Sequence, residues 1–190
     1  LFLNPDTIIS EDCLKKCFKH FHTNENIGAI GVKMIDGSGN YLPESKREFP
    51  TPRTALFKML GLSTLFPKSA LFNPYYLGHL SNNEIHEVDV LTGAFFSMNS
   101  DVAKKLNGFD ERFFMYGEDI DLSYRIKKSG KRVVYFPHST IIHFKGESTE
   151  KSSFQYFKAF YGSMKLFVDK HYTKAAGLSF GLLLNIGIIL

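Results

Sequence analysis

Residues 92–131 constrain the fold more than any other stretch of the 190-residue chain. An apolar strand, Leu91-Thr92-Gly93-Ala94-Phe95-Phe96-Ser97-Met98, is broken by its Gly-Ala pair and followed by a short helix over 101–106. Asn107-Gly108-Phe109-Asp110-Glu111-Arg112-Phe113-Phe114 then makes a turn and an aromatic approach to Met115-Tyr116-Gly117-Glu118-Asp119-Ile120-Asp121-Leu122. Three carboxylates follow a glycine there. Leu122 and Ile126, with Arg125, Lys127 and Lys128, continue as a helix that ends at Gly130. Acids in a first helical turn lie where the macrodipole favours negative charge, and that alone explains many acidic helix starts. A glycine beside a carboxylate also lets a ligand approach the backbone, because no Cβ stands in the way. With a further strand over 132–136, the pattern predicts an α/β chain.

Four ordered pieces carry a resemblance. They are Thr92-Gly93-Ala94, the turn over 107–111, the run over 113–122, and His143-Phe144-Lys145-Gly146-Glu147-Ser148. Together they resemble the inverting glycosyltransferases of family 2, and especially bacterial rhamnosyltransferase-like members, over roughly residues 1–160. The resemblance implies a GT-A fold, Rossmann-like and built to bind a nucleoside-diphosphate sugar. It implies that Glu118 and Asp119 are catalytic, with Asp119 taking the proton from the acceptor hydroxyl and Glu118 orienting the acceptor. Gly93 and Ala94 would face the sugar, and Lys145 would belong to a segment closing over the diphosphate. Asn4-Pro5-Asp6 resembles the family's Asp-x-Asp motif, with asparagine in place of the first acid. Asn4 would then meet the donor, and Asp6, joined by His143, would hold Mn2+ or Mg2+. A dTDP-rhamnose-like or UDP-sugar donor and a glycan or lipid-linked glycan acceptor follow from the same likeness, on the way to a surface polysaccharide.

The residues support other readings of several of these positions. Asn4-Pro5-Asp6 is also an ordinary strand-to-helix turn, with Thr7 or Ser10 capping a helix to about Phe21. His138 reads as structural, and a histidine at a strand end such as His143 is often a satisfied polar residue. Arg47 and Arg53, in the long interval over 41–83, offer guanidinium forks that match phosphate oxygens. They read more readily as solvated surface arginines. The same interval holds an apolar helix near 54–66, and connections of this length are usually functional or mobile.

Composition sets the outer bounds. A hydrophobic content of 44% and a length of 190 residues suit one domain with a sizeable core. The net charge of +4 suits an anionic nucleotide sugar or a membrane surface, without the dense basic clusters of a nucleic-acid binder. Cys13 and Cys17 lie one helical turn apart among Leu14, Phe18 and Phe21, which predicts reduced core cysteines. Leu1 is not a methionine, and Leu1-Phe2-Leu3 reads as a buried strand cut into at its start. The expectation is the C-terminal part of a larger catalytic domain over 1–172.

Ile27-Gly28-Ala29-Ile30-Gly31-Val32-Lys33-Met34-Ile35 reads as a buried strand before a turn over 36–40, and residues 87–91 as a strand entering the sheet. Pro137 is expected to turn the chain back along the strand over 132–136. From Phe154 the apolar spacing is helical, either packed on the domain or lying on an inner leaflet. The apolar run over 175–190 reads as a truncated membrane anchor or a buried terminal helix, with Lys165, Lys170 and Lys174 before it. As a membrane anchor, the run would keep the preceding domain on the cytoplasmic face of the inner membrane. A metal-dependent hydrolase using Asp6, His143 and Asp119, and a non-catalytic fragment, are the competing functional classes.

Overall fold

The computed structural model describes residues 1–114, 116–144 and 154–172. In chain order the elements are β1 (Phe2–Leu3), β2 (Thr7–Ile9), α1 (Cys13–Thr23), β3 (Ile27–Ile35), α2 (Pro52–Met59), α3 (Leu62–Leu65) and β4 (His86–Glu87). They continue with β5 (Phe95–Met98), α4 (Ser100–Leu106), α5 (Glu118–Lys128), β6 (Arg132–His143) and α6 (Phe154–His171). The sheet runs β1-β5-β3-β6-β2, with β4 beside β6. β3 and β6 are parallel, and the other pairs are antiparallel.

Successive side chains on a strand point to opposite faces, and here both faces are covered. Ile30, Val32 and Met34 of β3 join Val134 and Phe136 of β6 against Cys13 and Cys17 of α1. On the other face Ala29, Val133 and Tyr135 meet Leu122 and Ile126 of α5. That two-sided cover explains why β3 reads as an apolar run interrupted only at Lys33. Gly28 sits where α5 crosses the sheet. A Cβ added there would lie 2.5 Å from Ile126 Cγ2 and 2.8 Å from Lys131 Cβ. Gly28→Ala is therefore expected to destabilise the domain by about 1–3 kcal/mol through overpacking, read from a urea-unfolding midpoint.

Several local readings are corrected. β1 is an edge strand against β5, with Leu1 and Leu3 exposed, rather than a buried one. Thr7 does not cap α1; it lies in β2, paired with His143. Asp12 is the N-cap of α1, without a side-chain cap bond. The helix over 54–66 is two helices, parted at Gly61, whose φ is 69°. Of residues 87–91 only Glu87 is ladder strand, as the second residue of β4, although Val90 bridges to Arg47. Pro137 does not reverse the chain. Val32 pairs with Phe136 and Lys33 with Thr140, so residues 137–139 bulge out of one continuous β6.

α6 packs on the domain through Met164, Phe167 and Val168, which meet Phe113 and Ile120. Among the described residues no helix is long and apolar enough to cross a membrane. The run over 175–190 lies outside the described residues. Lys165 and Lys170, read above as flanking charges, are paired: Lys165 with Asp169 at 2.7 Å, and Lys170 with Asp110 and Asp121.

Candidate active site

The acidic turn divides its three carboxylates between two jobs. Gly117 begins α5 in the left-handed region with φ 84°. A Cβ there would press on Met164 Cε and the Phe113 ring at 3.2–3.3 Å, so this glycine serves the turn beneath α6 rather than opening space for a ligand. Asp121 points inward and is fully buried. It accepts hydrogen bonds from Arg125, Lys170 and His171 at 2.6–2.7 Å. Burial alone would raise its carboxyl, but those donors outweigh burial and hold it below the ordinary range. The turn over 107–111 belongs to the same scaffold. Asn107 and Gly108 both have positive φ, Arg125 donates to the carbonyls of Leu106 and Gly108, and Asp110 takes Arg112 and Lys170.

Asp119 faces the other way. Its Oδ2 accepts from Arg47 Nη2 at 2.6 Å and from the Gly93 N–H at 3.2 Å, and its Oδ1 from the Ile120 N–H at 2.8 Å. Arg47 is set there by its backbone, bridged to Val90, and also donates to the Leu91 carbonyl and the Tyr75 hydroxyl. Glu118 lies beside this pair. Burial, and then the negative charge of Asp119, push its carboxyl up to about 7. Its Oε2 is buried without a hydrogen-bond partner, and its Oε1 lies 3.6 Å from where a Cβ on Gly93 would be.

This arrangement carries a stability cost whose sign is fixed. Between about 4.5 and 7 the native chain keeps a proton that the unfolded chain has released, so stability falls as pH rises through that window. Glu118→Gln is expected to raise thermal stability, on the order of 1 kcal/mol at pH 8 and much less at pH 5. Differential scanning calorimetry at the two pH values measures it.

A second group of side chains lies at the end of β6. Asp6 Oδ1 and His143 Nε2 are 3.4 Å apart, long for a hydrogen bond. Asp6 Oδ1 and His143 Nδ1 are both buried without a partner. A short path of contacts joins this corner to the acids. The Gly93 N–H bonds Asp119, the carbonyl of adjacent Ala94 accepts from the Asn4 N–H at 3.2 Å, and Asn4 lies two residues before Asp6. The Asp6 carbonyl then accepts from the Phe144 N–H at 2.9 Å. An unsatisfied carboxylate oxygen facing an imidazole suits a divalent ion of the manganese type. Two cis ligands on such an ion stand about 3 Å apart, close to the separation here. Among the described residues no group of three or more His, Cys, Asp or Glu gathers as a metal cluster. Asp6 and His143 are the described side chains that would hold such an ion.

The other expected site residues divide similarly. Arg47 is buried, so the surface reading fails for it, and its guanidinium lies on Asp119 rather than open to a phosphate. Arg53 is exposed, bonded to the Leu71 carbonyl and stacked on Phe57. Ala94 does not turn its methyl to a sugar; that methyl is packed in the core beside Phe95 and Ile30, leaving only its backbone at the site. Asn4 is exposed. Lys145 and residues 146–148 lie outside the described residues. The Arg47–Asp119 pair was missed, because no spacing rule links residues 72 apart.

The fold is of the GT-A class. It matches the crystal structure of GalNAc-T7 with UDP, GalNAc and Mn2+ at a TM-score of 0.55 and 15% identity, over 88% of this chain and 30% of that one. The chain belongs to the family described as glycosyltransferase like family 2, whose model matches residues 1–162. It is similar to the N-acetylglucosaminyl-diphospho-decaprenol L-rhamnosyltransferase of Mycobacterium tuberculosis, 30% identical over 145 residues, 76% of this chain and 46% of that protein. It is also similar to the rhamnosyltransferase WbbL of Escherichia coli, 30% identical over 146 residues, 76% of this chain and 51% of that protein. The chain thus spans about half the length of these curated relatives.

Proposed function

We infer that the full-length protein is an inverting glycosyltransferase moving a sugar, rhamnose by the likeness to its relatives, from a nucleoside-diphosphate donor to a lipid-linked glycan. The single observation that carries this is the Glu118–Asp119 pair, brought by Gly93 and Arg47 to the strand end where open α/β sheets bind ligands. Asp119 is the proton acceptor. Three donors fix its carboxylate, leaving lone-pair capacity for an incoming hydroxyl. Glu118, with a partnerless oxygen, hydrogen-bonds the acceptor sugar and sets which hydroxyl meets Asp119. Asp6 and His143 would hold the divalent metal, which when bound stabilises charge on the departing diphosphate as a Lewis acid.

One observation favours a second allocation within the same pair. A base works best when its pKa lies near the operating pH, and Glu118 is the member pushed up to about 7. The two are separated by pH profiles of kcat/KM. With Asp119 as base, Glu118→Gln retains the acid limb; with Glu118 as base, that variant abolishes it.

The test of the reaction class is a donor screen on the full-length protein with Mn2+ or Mg2+, run with and without an acceptor glycan. Sugar appearing on the acceptor supports a transferase. Release to water at a rate indifferent to acceptor supports a hydrolase instead.

A further inference from the structure

We propose that the face built from α2, α3 and the loop after them docks on an anionic lipid bilayer. Leu56, Leu60, Leu65, Phe66 and Leu71 are 40–69% exposed. They make up five of the thirteen exposed large hydrophobic side chains among the described residues, within one sixteen-residue stretch. Leu56 and Leu60 are one helical turn apart, and Arg53 and Phe57 share that side of α2. Phe57 meets Phe72 edge-to-face at 5.6 Å and Phe66 meets it at a tilt at 5.2 Å, which holds the two helices and the loop as one unit. Single exposed leucines are ordinary; a cluster of this size marks a contact surface.

Charge identifies the occupant. Residues 49–83 contain Arg53, Lys58 and Lys68 and no aspartate or glutamate, while the flanking residues Glu48 and Glu84 are both acidic. Lys58 and Lys68 are exposed. Apart from Glu48, whose charge lies near Arg53, the patch intersperses apolar side chains with basic ones, a pattern complementary to acyl chains beneath a negatively charged headgroup layer. A protein partner of the same shape would need acids of its own, whereas an anionic bilayer supplies them everywhere.

The placement relative to the acids gives the surface a purpose. The excursion leaves the domain at Arg47 and returns at Tyr75. These two ends are joined by Arg47 Nη1 donating to the Tyr75 hydroxyl at 3.3 Å and by the Glu48 N–H donating to the Tyr75 carbonyl at 2.9 Å. Arg47 is itself on Asp119. The excursion is thus rooted at the acidic pair, and a bilayer held by α2 and α3 would bring a lipid-linked saccharide to the part of the chain that carries it. That last step rests on the transferase reading; the bilayer contact does not.

The test is co-sedimentation of the full-length protein with vesicles of phosphatidylcholine alone and of phosphatidylcholine mixed with phosphatidylglycerol. Wild type is expected to partition onto the mixed vesicles and to be released by high salt. Lys58→Glu with Lys68→Glu, and separately Leu60→Ser with Leu65→Ser, are each expected to weaken partition at least about tenfold. All four positions are exposed, so circular dichroism and the melting temperature should not change. Either of three results overturns the proposal: no partition of wild type, partition indifferent to phosphatidylglycerol, or variants that sediment like wild type. Self-association without vesicles that Leu60→Ser with Leu65→Ser abolishes, while leaving vesicle binding intact, reassigns the face to a second copy and also overturns it. None of these outcomes bears on sugar transfer, which the donor screen decides.

Discussion

Asp119→Asn is expected to lower kcat of the full-length protein by about 10²- to 10⁴-fold while leaving donor affinity unchanged. Asparagine preserves the shape and can still accept from Arg47 and the Gly93 N–H through its carbonyl oxygen, giving up only the bond from the Ile120 N–H. What it cannot do is take a proton. A loss confined to kcat, with donor binding by isothermal titration intact, is the signature of an interaction needed only at the transition state. Wild-type turnover by this variant would remove Asp119 from the base role. Loss of donor binding would mean that the residue holds the donor instead.

Asp121→Ala is expected to have the largest effect on stability, about 3–5 kcal/mol, read from the midpoint of urea unfolding. The carboxylate is fully buried and accepts from three cationic or imidazole donors, two of them on α6. Its removal leaves Arg125 and His171 without their carboxylate and Lys170 with Asp110 alone. Because the carboxyl is held below its usual 3.8, its contribution is present above that pH and lost as pH falls through the native value. The variant should therefore also flatten the acid limb of a stability–pH curve. A loss below about 1 kcal/mol would place the cost of the network near that of an exposed ion pair.

Much of this was legible in the sequence where the signal is local. Gly117 and Gly130 bracket α5 to within two residues, and the apolar spacing from Phe154 gave α6 its start. The apolar run of β3, interrupted only at Lys33, announced a buried strand. What stayed hidden depends on partners far along the chain. β2 is three residues long and exists only because His143, Ile142 and Ile141 lie opposite it. β6 passes Pro137 because a bulge absorbs the missing donor, whereas the local rule ends a strand there. The two roles of the acidic turn were equally hidden. Side chains two apart on a helix point to different faces, but only the tertiary fold shows that Asp119 meets Arg47 while Asp121 meets Lys170. Ala94 shows the converse limit, since a small residue beside a glycine reads as a ligand approach and is here a core methyl.

The reading rests on a proton acceptor at Asp119 and a metal at Asp6 and His143, joined across Gly93, Ala94 and Asn4. The most direct measurement is an anomalous-scattering map from crystals of the full-length protein soaked with MnCl2 and a nucleoside diphosphate. A manganese peak coordinated by the Asp6 carboxylate and His143, with the diphosphate on the same ion and Asp119 free of it, is the expected result. A peak held by Glu118 and Asp119, or a diphosphate bound away from Asp6, would contradict it.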